Sequence, residues 1–451
     1  MSKLSIFQKQ DNLMTSGSIK KRIILFAVPI FIGQLFQQLY STVDSLIVGN
    51  LIGKTALAAV SSTGSITFLV IGFFFGFSMG AGIVVAREIG AQSKEGIERS
   101  VHTTVAMGLF FSAAITIIGV TLSPVMLKLM GTPKEVMEEA TVYLRIIFAG
   151  STGLIMYNTF VGILQASGDS KHPLIYLICS SITNVILDVV FISIFKMGVE
   201  GAAIATILSQ FLSMALALSR LLRAESYIKL RLTKIRFNVK TLKQIVRFGL
   251  PTALQGSIID IANILIQSYV NSFGADAMAG IGAYSKIEGF AFLPVISFSM
   301  AMSTFISQNI GANKHDRVKK GMRFGLLCTV TSIEIIGIIA FIAAPELIKL
   351  FNGNPDVIYF GVLRARICAP FFFLLGFSNV TSAIMRGLGK PMAPLVVMIV
   401  FWCAIRVIVF MTVGRVYHNI LLTCWIYPIT WGLSTVVYGI LFKVYKKQGI
   451  Y

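Results

Sequence analysis

Charge is scarce in this sequence, and negative charge scarcest. Only 13% of its 451 residues are Asp, Glu, Lys or Arg, with 19 acidic against 39 basic and four histidines. A soluble chain carries about a quarter charged residues, so the deficit excludes a surface that meets water on all sides. With 55% hydrophobic residues and a mean hydropathy of +0.81, lipid must cover much of the protein. Cysteine is also sparse: Cys179, Cys328, Cys368, Cys403 and Cys424 lie in apolar segments, with no C-x-x-C pair and no histidine at metal-ligand spacing. They read as small buried hydrophobes. A nucleotide-binding loop is lacking too. Gly49, Gly53, Lys54 and Thr55 imitate one, but three residues separate the glycines where four are needed, and no strand-then-helix context surrounds them. Residues 1–22 are polar and basic, and the first apolar run offers no small-residue cleavage site, so no cleaved signal peptide is expected.

What is present is a series of long apolar runs. Crossing a bilayer takes roughly twenty mostly apolar residues. That rule predicts spans near 23–50, 58–86, 101–123, 139–165, 173–195 and 199–222. A second set is predicted near 245–271, 279–307, 321–343, 358–384, 393–413 and 420–445. The net charge of +20 does not form the single basic face that nucleic acid requires. Lys and Arg gather instead in alternate short connections: the lead (Lys20, Lys21, Arg22), 86–101, 220–247, 308–323 and the tail. Such bias sets orientation and attracts anionic headgroups. It predicts both termini in the cytoplasm, an even number of spans, contact with membrane lipids and no nucleic acid.

An internal repeat organises the runs. Ile89-Gly90-Ala91 returns as Ile310-Gly311-Ala312, 221 residues later. At that offset Ala56 and Ala58 meet Ala277 and Ala279, Pro124 meets Pro345, Lys128 meets Lys349, and Gly168 and Pro173 meet Gly389 and Pro394. The expected fold is an all-α integral membrane protein of about twelve helices in two pseudo-symmetric six-helix lobes. Its parts are a lead 1–22, an N-terminal lobe 23–222, a basic linker 223–243, a C-terminal lobe 244–445 and a tail 446–451.

Ionisable residues inside apolar spans are costly and mark cavities or partners. Asp44 lies deep in the first span with Gln37 and Tyr40 on its helical face, and Asp188 deep in the fifth with Asn184 one turn away. Thr206 in the sixth span and Tyr157 and Asn158 in the fourth add polar atoms. Oxygens converging from several helices suit a proton or a hard monovalent cation; a purely structural hydrogen-bond network is the alternative. The second lobe does not repeat the acids: Val409 stands at the equivalent of Asp188, and Arg406, Trp402, Asp260 and Glu334 occupy its spans. A structural Arg406–Asp260 pair is favoured over a cavity-lining arginine. Lys286 and Glu288 read as a local charge pair. Pro29 and Pro251 sit early in the first span of each lobe, where proline permits either a hinge or a static kink.

With these residues placed, the sequence resembles the multidrug and toxic compound extrusion (MATE) family, in its DinF-like branch with an aspartate in the first helix. The likeness runs from Met14–Ile19 through Phe26–Ile30, Gln37–Asp44 and Ala56–Val60 to Gln165–Asp169 and Arg386–Gly389. It implies a V-shaped bundle of the MATE/MOP type, a secondary transporter and not an enzyme. It implies export of bulky amphipathic, often cationic compounds against inward Na⁺ or H⁺, from the cytoplasmic (inner) membrane and without a cofactor. The cation site it implies is Asp44, Asn184, Asp188 and Thr206, with Gln37, Tyr40, Tyr157 and Asn158 as polar neighbours. A monomer is expected. A flippase for a lipid-linked oligosaccharide, built on the same architecture, is the alternative function, and a cavity-lining Arg406 beside other basic residues would favour it.

Overall fold

The computed structural model describes residues 13–51, 54–224 and 227–449, and every regular element among them is helical. The first half holds α1 (Ile19–Leu51), α2 (Lys54–Gly90), α3 (Lys94–Leu129), α4 (Lys134–Ala149), α5 (Ser151–Ala166), α6 (Lys171–Asp188) and α7 (Gly198–Leu222). The second holds α8 (Val239–Asn271), α9 (Ala275–Gly311), α10 (His315–Ile342), α11 (Ala344–Lys349), α12 (Pro355–Cys368), α13 (Phe372–Leu388), α14 (Met392–Met398), α15 (Ile405–Val416) and α16 (Ile420–Lys447). Eleven of the described helical stretches are long and apolar enough to cross a membrane, and the bent pair α4–α5 supplies a twelfth. Several helices outrun their apolar runs because capping carries them into polar sequence. α3 starts at Lys94 because the Ser93 hydroxyl accepts the Gly96 N–H at 3.1 Å.

Two predicted spans are broken, at equivalent places in the repeat. The 139–165 span is α4 and α5, bent by 44° at Gly150. Hydropathy does not register this break, because the run stays apolar; the Ile207 side chain lies 2.3 Å from where a Cβ on Gly150 would stand. The 358–384 span is interrupted by a 3₁₀ turn, Ala369–Phe371. There Pro370 has no N–H to continue the ladder, and the Glu334 carboxylate accepts the Phe373 N–H at 2.9 Å. Two wider π turns also occur, Val189–Ile194 after α6 and Ile399–Ala404 before α15. Pro29, by contrast, lies inside an unbroken α1.

The chain divides into two compact units. One comprises Val28–Ala253 with Leu13; the other comprises Met14–Ala27 and the residues from Leu254 on. The helix α1 therefore opens in the second unit and continues in the first, while α8 does the reverse, each changing near its early proline. In the first unit, Gly76 and Gly80 let α2 approach the opening of α8 backbone to backbone. A Cβ on Gly80 would meet the Gly249 nitrogen at 2.3 Å, the close approach that small residues allow between membrane helices. In the second unit the core gathers Tyr284, Val295, Ile333, Phe372, Trp402 and Trp431. Ile117, Ile182, Leu327, Ile408 and Val436 are each more than half exposed, an outward apolar surface that lipid satisfies and water does not.

Each unit also ties down a polar lead segment. In the second, Arg317 donates to the carbonyls of Met14 (3.0 Å), Ser16 (3.3 Å) and Gly17 (2.8 Å). Lys314 reaches the Thr15 carbonyl at 2.9 Å, and Gln308 accepts the Met14 N–H at 2.9 Å. In the first, the linker crosses the start of α3. Lys234 pairs with Glu98, His102 accepts the Arg231 N–H at 3.1 Å, and Lys94 lies 4.8 Å from the Tyr227 ring centre.

Candidate functional site

Asn184 and Asp188 stand one turn apart on α6, and both are fully buried. Across from them, α7 brings Thr206. Small residues on its approach, Ala202 and Ala203, are buried with Val199 and Ile192, and with Tyr143 on α4, in an apolar floor. The Asn184 amide satisfies its surroundings with its nitrogen toward the carboxylate. In that orientation Nδ2 donates to Asp188 Oδ2 at 2.8 Å and to the Tyr40 hydroxyl at 3.0 Å, and Oδ1 accepts the Thr206 N–H at 3.1 Å. The Thr206 hydroxyl donates to the Ala202 carbonyl at 2.9 Å. α6 gives way to a π turn immediately after Asp188, with the Phe195 N–H reaching back five residues to the Val190 carbonyl at 3.1 Å. Such widened turns recur at functional positions in helices.

Four of the residues singled out from sequence thus meet: Tyr40, Asn184, Asp188 and Thr206, drawn from α1, α6 and α7. The side chain of Asp44 lies outside the described residues. Gln37 is exposed on α1. Tyr157 and Asn158 make other contacts. The Tyr157 hydroxyl donates to the Pro173 carbonyl at 3.0 Å, tying α5 to α6, while Asn158 Nδ2 donates one turn back to the Leu154 carbonyl at 2.9 Å. The described part of the site offers one carboxylate, one amide and two hydroxyls, one of them the Tyr40 phenol, and no sulfur ligand. That set suits a proton or a small hard cation, and burial disfavours a bare carboxylate there.

In the second unit, Trp402 Nε1 donates to the Ser434 hydroxyl at 3.1 Å and Arg406 Nε to the Thr430 hydroxyl at 3.0 Å. Arg406 is 2% exposed and so does not line an open cavity. The expected partner Asp260 has its side chain outside the described residues. Lys286 and Glu288 form no ion pair among the described residues, as residues two apart point to different sides of a helix. Glu288 instead lies within electrostatic reach of Arg364 and Arg406. Sequence reasoning passed over Arg364. It stands two residues before Arg366 and near the start of the predicted 358–384 span, where arginine ordinarily marks the membrane surface.

The comparisons agree with this architecture. The MatE family model matches the chain twice, over residues 29–190 and 251–412. The chain is 28% identical over 442 residues to "Probable multidrug resistance protein YoeA" of Bacillus subtilis, covering 96% of each chain. It is 30% identical over 395 residues to "Probable multidrug resistance protein YpnP" of the same organism, covering 86% of this chain and 87% of that one. Its fold is similar to that of a MATE family transporter of the MOP superfamily solved in an outward-facing conformation, with a TM-score of 0.90 at 24% identity over 100% of this chain and 99% of that one. The twice-matched family model, the full-length relatives and the twelve-span helical architecture together place the chain in the MatE family, as a multi-pass membrane transporter and not an enzyme.

Proposed function

We propose that this chain exports amphipathic organic compounds, chiefly cations, across the inner membrane in exchange for inward Na⁺ or H⁺, with Asp44, Asn184, Asp188 and Thr206 holding the driving ion. The observation that carries the reading is the fully buried Asn184–Asp188 pair, closed by Thr206 and Tyr40. A carboxylate in that place needs a proton, a cation or a donor beside it. In the described arrangement the Asn184 nitrogen is that donor. Loading with Na⁺ calls for the amide to turn and present Oδ1; loading with H⁺ leaves it in place and protonates the carboxylate. The relatives named for multidrug resistance support organic compounds as cargo. The burial of Arg406 supports this reading over that of an oligosaccharide flippase.

The test is dye efflux from proteoliposomes under an imposed Na⁺ gradient at constant pH, then under a pH gradient without Na⁺. One gradient should drive export. Asp188→Asn and Asp44→Asn should each lower the driven rate by about tenfold or more, the effect of losing one charge-assisted contact. Full driven export in both variants overturns the reading.

A further inference from the structure

The second unit holds a cavity of about 480 Å³ between the last turns of α8 and α15. Both helices end there, α8 at Asn271 and α15 at Val416, and α16 starts beside them at Ile420 and runs 28 residues to the tail. The cavity therefore lies at the membrane boundary remote from that tail. Its lining is sorted by depth. One to three turns inside the helix ends, Leu265, Val407, Phe410 and Met411 make an apolar wall, of which Leu265 and Met411 are 51% and 57% exposed. Within a turn of the ends stand Ser268, Ser272, Arg415 and His418. No Asp or Glu lines the cavity, and among the described residues Arg415 forms no ion pair. The neighbouring groups are fixed. The Tyr269 hydroxyl donates to the Gly414 carbonyl at 3.2 Å, joining the two helices, and its ring centre lies 4.8 Å from that of Phe410. His418 stacks on Phe273 at 4.1 Å. The Ser272 hydroxyl donates to the Tyr269 carbonyl at 2.7 Å, so His418 Nε2, 2.8 Å away, donates to Ser272. At the repeat offset of 221 residues, the first half has Ile194 and Met197 where Arg415 and His418 stand. The shared scaffold does not require these polar residues.

A guanidinium presents parallel N–H groups that fit two oxygens of one phosphate. An apolar wall one to three turns deeper fits a hydrocarbon chain. A free phosphate has no use for that wall, and a plain hydrocarbon none for the cation. A molecule that carries both, in the order phosphate outside and chain inside, is a phospholipid of the adjoining leaflet. No carboxylate lines the cavity to receive a choline or ethanolamine cation, so the charge balance selects an acidic headgroup. We propose that this cavity seats one acidic phospholipid, its phosphate paired with Arg415 at the rim and an acyl chain against Leu265, Phe410 and Met411. Tyr269 and the Phe273–His418 stack hold the walls at the level where aromatic side chains meet headgroups. The lipid bridges α8 and α15 at the height of the Tyr269–Gly414 contact. It is a resident of the helix surface and not cargo, so the site stands whatever ion or compound is carried.

The experiment is native mass spectrometry of the purified full-length protein in detergent, titrated with dioleoyl phosphatidylglycerol or dioleoyl phosphatidylcholine. Arg415→Gln should weaken the tightest phosphatidylglycerol adduct by about tenfold, as for one charge-assisted hydrogen bond, and leave phosphatidylcholine within about twofold. Ser268→Phe fills the cavity while keeping Arg415, and should remove the same adduct. Arg415 and Ser268 are exposed, so neither change disturbs a packed core. If Arg415→Gln nevertheless fails to fold, Arg415→Lys keeps the charge, loses the fork and should still weaken phosphatidylglycerol alone. Lys447→Gln, an exposed change in the tail, should leave the adduct as it is. An unchanged adduct in Arg415→Gln or Ser268→Phe overturns the proposal. So do equal losses for the two lipids, or an equal loss in Lys447→Gln, which would mean general attraction to a basic protein. Displacement of the lipid by glycerol 3-phosphate alone would make the seat one for a free phosphate, and also overturns it. Asp188→Asn should stop ion-driven export and leave the adduct in place, so this reading and the transport reading can each fail alone.

Discussion

Thr206 on α7 and Tyr427 on α16 are one repeat apart, and so are Ser209 and Thr430. Each of these helices faces a polar residue on the transmembrane helix before it: Asn184 in the first unit and Arg406 in the second, one position off the equivalent place. The surroundings then diverge. Asn184 serves a buried carboxylate, whereas Arg406 shares an aromatic ring with a second arginine. Two copies of one scaffold thus hold polar clusters of opposite charge at matching positions. The scaffold is conserved between halves where shape decides, in glycine contacts, breaks and loop motifs. The polar filling is free to change because a buried charge needs only its own local partners. The two broken helices teach the same lesson. The first unit breaks at a glycine with Ile207 against it, the second at a proline, after which Glu334 accepts the N–H of Phe373 at the start of the next helix.

The parallel can be broken in stages. Gly150→Val puts a branched side chain where Ile207 already stands. It should cost about 3 kcal/mol, the upper range for overpacking, read as the largest fall in unfolding temperature in detergent. Next, Asn184→Leu removes the donor that Asp188 Oδ2 faces, and Thr430→Val removes the acceptor of Arg406 Nε. Each should cost about 2 kcal/mol for a buried polar group left without its partner. Only the first should also reduce ion-driven export, which sharpens the assignment of the driving site to the first unit. Smallest is Glu334→Ala, which uncaps the start of α13 and should cost about 1 kcal/mol. If it instead matches Gly150→Val, the two breaks are not stabilised by different means.

The repeat was readable in sequence because scaffold residues recur at fixed spacing, and the twelve spans because apolar runs have a length set by the bilayer. Asn184 and Asp188 were readable as a pair from their one-turn spacing alone. Thr206, on another helix, was readable as a polar residue in the sixth span, and its place in the cation set came from the family resemblance. The break at Gly150 was not legible, since no polar residue interrupts the apolar run and the side chain packed against that glycine, Ile207, is 57 residues away in sequence. Arg364 was missed because burial of an arginine near the start of a predicted span depends on the tertiary partners Tyr427 and Tyr284. Lys286 and Glu288 were paired for being close in sequence, although helix geometry turns them apart.

The grip of Arg317 on Met14, Ser16 and Gly17 has a consequence for the order of assembly. The chain is made from its N-terminus, and the lead that Arg317 fastens is synthesised some 300 residues before it. Contacts so distant in sequence close late, because the chain between them must first be placed. The lead is therefore made well before the residue that seats it. Until α9 and α10 are threaded into the bilayer, the opening turns of α1 have no unit to belong to.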